Sequence, residues 1–169
     1  MRLVIFLYIF FLSAITLVFA VEERDLFKVA RNGNASQMRE VLASGTDLTI
    51  KDASGRSALM QSVLYGNQET ALVLLENAVD LESRDELGLT PLTLSVRYGD
   101  AEMTRILLEH GASVESKMED GSTPLIFAAL EGQLSAVRLL LEYKSDVSVR
   151  TAYGETALIV ASFEGFLGV

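Results

Sequence analysis

Apolar positions along this chain recur at one long, fixed interval. Leu26, Leu59, Leu92, Leu125 and Leu158 stand 33 residues apart, and Leu42, Leu75, Leu108 and Leu141 repeat the step in a second register. Two glycine ladders share it: Gly55, Gly88, Gly121 and Gly154, and Gly33, Gly66, Gly99, Gly132 and Gly165. Several registers locked to one period, with no insertion between them, mark an internal repeat. The units run 21–51, 52–84, 85–117 and 118–150, with a partial fifth at 151–169.

Within each period the pattern predicts a turn and two helices. The turn carries a glycine, as in Asp85-Glu86-Leu87-Gly88, where a positive φ costs glycine nothing. Ser57, Thr90, Thr123 or Thr156 then stands where a helix N-cap hydroxyl would hold an orphan backbone N–H. Pro91 and Pro124 follow at the first helical position, which needs no N–H. A short helix rich in small residues, such as Leu125-Ile126-Phe127-Ala128-Ala129, stops at the second glycine. The second helix carries an aliphatic stripe, as in Thr104-Arg105-Ile106-Leu107-Leu108 and Val137-Arg138-Leu139-Leu140-Leu141. A short polar-apolar stretch, such as His110-Gly111-Ala112-Ser113-Val114, closes the unit.

These residues resemble the ankyrin repeat. The family's T-P-L run stands intact as Thr90-Pro91-Leu92 and Thr123-Pro124-Leu125, and relaxed as Ser57-Ala58-Leu59 and Thr156-Ala157-Leu158. Its closing G-A-D-V is approximated by Gly111-Ala112-Ser113-Val114 and Gly45-Thr46-Asp47-Leu48. The resemblance implies an all-α solenoid of helix-turn-helix units joined by β-turn or hairpin loops. The family's histidine after T-P-L is replaced by Met60, Thr93, Ile126 and Ile159. That histidine usually ties neighbouring repeats together through hydrogen bonds. Its loss implies weaker polar linkage here, with apolar packing between first helices in its place.

The two ends differ. The first unit lacks the T-P-L signature and is polar at Glu22, Glu23, Arg24, Asp25, Arg31, Asn32 and Gln37, which suits a terminal repeat facing water. After Gly165 only Phe166-Leu167-Gly168-Val169 remain, where the template places a second helix. Leu158 and Phe163 are then expected to lack the cover that other units enjoy. A longer chain, a covering partner and a frayed half-repeat all remain open.

Residues 1–20 read as an export leader: a positive start at Arg2, an apolar run from Leu3 to Leu12, and Val18-Phe19-Ala20 before Glu22, Glu23 and Asp25. Small or apolar residues three and one before the break suit signal peptidase, so cleavage after Ala20 is expected. An uncleaved anchor is the alternative, because Leu3 to Val21 just reaches the ~20 residues that span a bilayer. Either way the rest of the chain is expected outside the cytosol, in a periplasm, a secretory lumen or the medium. The membrane is a partner only if the leader stays attached.

Charge and composition narrow the chemistry. The formal net charge is −9, and −10 without the leader, whose one charged side chain is Arg2. An acidic body is a poor partner for nucleic acid, whose binding rests on Lys and Arg neutralising phosphates. The sequence holds no cysteine and one histidine, His110, which excludes disulfides, thiolate sites and multi-histidine metal sites. The carboxylates of Glu22, Glu23 and Asp25, of Asp85 and Glu86, and of Glu119 and Asp120 are expected to be solvated, with no calcium-loop spacing. His110 sits where a basic residue complements the end of a helix, and no nucleophile motif accompanies it. No catalytic residue, cofactor or metal site is expected. Asn34-Ala35-Ser36 forms an acceptor sequon for N-glycosylation in a eukaryotic exported chain.

Ankyrin proteins usually bind through the concave face formed by their turns and first helices. Carried over by position, that face comprises Ala53, Ser54, Arg56 and Leu64; Glu86, Leu87, Leu89 and Arg97; Glu119, Asp120, Ser122 and Leu130; and Tyr153, Glu155 and Phe163. Leu87, Leu89 and Tyr153 are expected to be exposed, with packing of the leucines against neighbouring turns as the alternative. The mixture of acids with Leu and Tyr favours a protein partner with basic and apolar surface. The expected function is a non-enzymatic protein–protein interaction scaffold outside the cytosol. The alternative is an interaction or targeting fragment of a larger protein with an effector domain beyond residue 169.

Overall fold

A computed structural model describes residues 26–166; the leader and the residues up to 25 lie outside the described part, as do 167–169. Helix starts follow from hydroxyl caps. The side chains of Ser57, Thr90, Thr123 and Thr156 accept the N–H three residues on, opening α3 (Ala58–Leu64), α5 (Pro91–Arg97), α7 (Pro124–Leu130) and α9 (Ala157–Glu164). The first of this series, α1, is helical over 26–32. The partner helices are α2 (Ala35–Ala43), α4 (Gln68–Leu75), α6 (Ala101–Glu109) and α8 (Leu134–Glu142). No strand occurs among the described residues.

The helices form two layers. First helices α3, α5, α7 and α9 pack in sequence on one another, second helices α2, α4, α6 and α8 do the same, and α3, α5 and α7 each pack on the second helix of their own unit. A first helix is therefore covered on several sides. All of Ala58–Val63 and all of Pro91–Val96 are buried, which is why these helices read as apolar or small throughout rather than striped. Second helices have one face in solvent and keep a stripe, whose centre is Leu74, Leu107 and Leu140. Each fully buried leucine contributes roughly 1.5–3 kcal/mol against its exposed state.

Several hydroxyls inside these layers are satisfied locally, although that of Thr70 in α4 is buried without a partner. Ser62 and Ser95 donate to the carbonyls of Leu59 and Leu92 at 2.7 and 2.8 Å. Ser95 also pairs with Thr104 across the two helices of its unit at 2.9 Å. Ser62, Ser95 and Thr104 thus sit in the core without the cost of an unpaired group.

Polar linkage between repeats is more extensive than the missing histidine implied. Asn67 Nδ2 donates to the carbonyls of Ala30 and Arg31 in the preceding unit, at 2.8 and 2.7 Å. Glu82 accepts the backbone N–H of Ser113 at 2.9 Å and the hydroxyl of Ser116. One repeat on, Glu115 accepts the N–H of Asp146 at 2.8 Å. Lys51 Nζ donates to the carbonyl of Arg84 at 2.9 Å. Carboxylate and amide side chains at the loops do the tying, so apolar packing is not the only substitute for the histidine.

Exposed aspartates order the closing stretches. Asp146 is held below its ordinary pKa first by the Ser148 hydroxyl, then by the Ser148 N–H, and Asp47 by the same two groups of Thr49, with the N–H first. After α9, the end of the stack is apolar, as the sequence led one to expect: Leu158 is 72% exposed and Phe163 81%. Val147 and Leu141 are exposed beside them.

The turn after each second helix needs a left-handed residue. Gly45 and Gly111 provide it with φ of 83° and 91°, but the same register holds Ala78 at 52° and Lys144 at 66°. A side chain in this region costs about 1–2 kcal/mol, partly offset by the larger entropy a glycine loses on folding. Ala78→Gly and Lys144→Gly are each expected to raise stability by about 0.5–1 kcal/mol in urea unfolding.

Candidate protein-binding cleft

The loops that join the units are built by one repeated device. Residues 52, 85, 118 and 151 close a turn on the carbonyl four residues later, with N···O distances of 2.9, 3.1, 2.9 and 2.9 Å. Where the first residue has a side-chain acceptor, it also binds the N–H groups two and four residues on. Asp52 Oδ1 takes Ser54 and Arg56 at 2.8 and 3.0 Å. Asp85 Oδ1 takes Leu87 and Leu89 at 2.9 and 3.0 Å, and Thr151 Oγ1 takes Tyr153 and Glu155 at 3.2 and 3.3 Å. Met118 has no such acceptor. Asp120 substitutes from the loop tip, accepting the N–H and the hydroxyl of Ser122 at 2.9 and 2.8 Å.

Neighbouring tips are joined as well. Glu86 N–H donates to the Ser54 carbonyl at 3.1 Å, and Ala152 N–H to the Asp120 carbonyl at 2.7 Å. The second and third loops are thereby tied to each other, as are the fourth and fifth, in a row beside the first helices. Gly55 is needed here: its φ is +72°, and a Cβ would lie 3.1 Å from the backbone nitrogen of Glu86.

Between the fourth and fifth loops and helices α7 and α9 lies an open cleft of about 410 Å3. Buried Ile126 and Val160 form its floor, while Leu130, Tyr153 and Phe163 rise from it into solvent. Asp120, Glu155 and Glu164 stand around the opening, and no lysine or arginine lines it. Tyr153 is 82% exposed. Such a site offers apolar contact at its centre and negative charge at its edge, the arrangement of an interface core and rim.

Of the residues the sequence placed on the binding face, Asp120, Leu130, Tyr153 and Glu155 meet in this cleft together with Phe163. Glu86 and Leu87 are exposed farther along the loop row, and Glu119 is exposed beside the cleft without lining it. Arg97 is exposed at the end of α5, and Leu64 is half-buried at the end of α3. Arg56 is half-buried, its Nε 3.5 Å from the carboxylate of Asp85. That distance makes an ion pair without a well-directed hydrogen bond, and the Nε has no other acceptor.

Two expectations are corrected. Leu89 is not an exposed binding residue, being only 3% accessible. It precedes the N-cap Thr90, and Leu94 four positions inside the helix is buried too, the register of a hydrophobic staple. Asp85 is not solvated; it is buried under its own turn and against Arg56. Ser122, also placed on the face, lines the cleft from a largely buried position, with its hydroxyl given to Asp120.

The sequence reading passed over Glu164, and it also passed over Tyr65 and Tyr98, which cap α3 and α5 and are exposed. All three share one register, the residue before the second glycine. A side chain there leaves the helix end beside the loop row, a signal the 33-residue alignment already carried. His110 Nδ1 lies 2.8 Å from the Ile106 carbonyl at the end of α6, on the far side of the stack from the cleft residues.

Loss of the buried Leu89 side chain is a stability effect. Leu89→Ala is expected to cost about 2–4 kcal/mol in urea unfolding, and Leu87→Ala no more than about 0.5 kcal/mol.

The model for "Ankyrin repeats (3 copies)" matches residues 26–118, and that for "Ankyrin repeats (many copies)" matches residues 107–161. A search of curated proteins matched none. Together the two family matches take in nearly every residue that the structure describes, including both complete T-P-L runs and the loops of the cleft. The chain belongs to the ankyrin repeat family, whose domains are protein–protein interaction modules.

Proposed function

We propose that this protein is a non-catalytic binding scaffold that acts outside the cytosol and holds a protein partner on its loop and first-helix side. One observation carries the reading: Tyr153 and Phe163 are over four-fifths exposed while sharing one cleft with Leu130. Single exposed apolar residues are ordinary on a surface, but two aromatics and a leucine converging on one concavity are not. Aromatic side chains in such a place are the usual anchors of protein interfaces. The loop row supports the reading mechanically, because its backbone bonds fix the anchors before any partner arrives.

Export rests on the leader. The apolar run, the small residue at 20 and the acidic stretch behind it support removal of 1–20. No helix of the described residues is long and apolar enough to cross a membrane. The uncovered side of α9, with Leu158 and Val147 exposed, favours a second reading, in which these repeats are the interaction part of a longer protein.

A photo-cross-linking amino acid at position 153 is expected to form an adduct with one protein partner. The same probe at exposed Arg105 on α6 should form none, and Phe163→Ser should abolish the adduct at 153. Equal labelling from both sites, or none from either, overturns the proposed binding side. The exported protein is expected to begin at Val21 on N-terminal sequencing and to leave the membrane on carbonate extraction. A chain starting at Met1 and retained in the pellet would establish the tethered form instead.

A further inference from the structure

The two halves of the loop and first-helix side differ in charge. In the second and third units cations stand among the acids: Arg56 lies against Asp85, and Arg97 is exposed at the end of α5. In the fourth and fifth units the positions equivalent to Arg56 hold Ser122 and Glu155, and those equivalent to Arg97 hold Leu130 and Phe163. Acids stand beside them at Glu119, Asp120 and Glu164, with Glu131 ending α7. Two cations lie near in sequence: Arg150 Nη1 donates to the Gly154 carbonyl of the fifth loop at 2.6 Å, and Lys117 precedes the fourth loop. Neither lines the cleft, which holds aromatic and aliphatic side chains within an acidic rim.

We infer that the occupant of this cleft is an extended, cationic segment of a partner protein, with an aromatic or branched aliphatic side chain flanked by lysine or arginine. The inference rests on the scaffold reading above and adds the chemistry of the partner. Phe163, Tyr153 and Leu130 line the cleft together and offer contact to one apolar anchor, and an aromatic ring is also a favourable neighbour for a cation. Asp120, Glu155 and Glu164 are spaced around that anchor point, so bases on either side of it meet acids. Asp120 is held rigidly by Ser122 at two points, which fixes one acceptor before binding. Acidic ligands are disfavoured at the same rim: nucleic acid and a phosphorylated segment both bring charge of the wrong sign. A second copy of the chain is opposed by its own net charge.

The test is selection from a random peptide library displayed on phage. It is run in parallel on the exported protein, on Asp120→Asn/Glu155→Gln/Glu164→Gln, and on Tyr153→Ser/Phe163→Ser. The substituted side chains are largely at the surface, and circular dichroism melts establish that each variant is folded before selection. Sequences enriched on the unaltered protein are expected to combine Lys or Arg with an aromatic or aliphatic residue. The corresponding synthetic peptides should bind each variant about tenfold or more weakly. Their affinity should also fall as salt is raised, with a shallower fall in the triple variant. Enrichment of neutral or acidic sequences, equal binding to the variants, or no enrichment at all overturns the inference. Self-association abolished by the same substitutions overturns it in favour of a second copy. If cross-linking from position 153 still yields a protein partner, the scaffold reading stands and only the cationic chemistry falls.

Discussion

No helix pair in this chain can bury its own apolar side, so the stacking of one pair on the next is the interaction on which everything else depends. It dictates the composition of the first helices, which are covered by a neighbour before, a neighbour after and a second helix behind. It explains why Ser62, Ser95 and Thr104 are tolerated in the core: side chains this short can return their hydroxyls to a nearby carbonyl or to one another. It also makes the loops regular. Each loop must deliver the next first helix in the same pose, and the turn closed between residues 85 and 89, repeated at 52, 118 and 151, does so.

Apolar burial alone would let stacked units slide, since it has no direction. Register is supplied by polar groups at the edges of the layers. Asn67 reaches back to two carbonyls of the first unit, Glu82 and Glu115 reach forward to backbone N–H groups, and the loop tips join by main-chain hydrogen bonds. These partners are backbone atoms, so the linkage survives whatever side chain the next repeat carries. A histidine after T-P-L is one way to tie repeats together; the loop carboxylates and amide of this chain are another.

Most of the helical architecture was legible in the sequence because the signals were independent and agreed. Period, cap residue, proline at the first helical position and terminal glycine all marked the same boundaries. The candidate site was legible in part. Tyr153, Leu130, Asp120 and Glu155 followed from register, because a loop tip and a first-helix end are fixed relative to the stack. Leu89 did not, since loop position was taken as exposure, while the residue before an N-cap is turned inward to staple the helix. Asp85 failed for a related reason. A carboxylate that binds two N–H groups of its own turn belongs to the turn, and it is buried with it. Tyr65 and Tyr98 were passed over because the carried-over helix-end positions, Leu64 and Arg97, stop one residue short of them.

The cleft lies where the stack is least self-sufficient, and the two facts have one cause. At the helix-end register of the inner units Leu64 is half-buried, while Arg97 and Leu130 reach solvent. At the fifth unit the equivalent residue, Phe163, has α7 on one side only among the described residues, and its ring stands in solvent. The last loop places Tyr153 in the same position, fixed by Thr151 below and by the bond from Ala152 to Asp120 beside it. Rigid backbone and uncovered aromatic rings therefore coincide at this end. A partner settling there would bury side chains that the stack itself leaves in water, and it would find them already ordered.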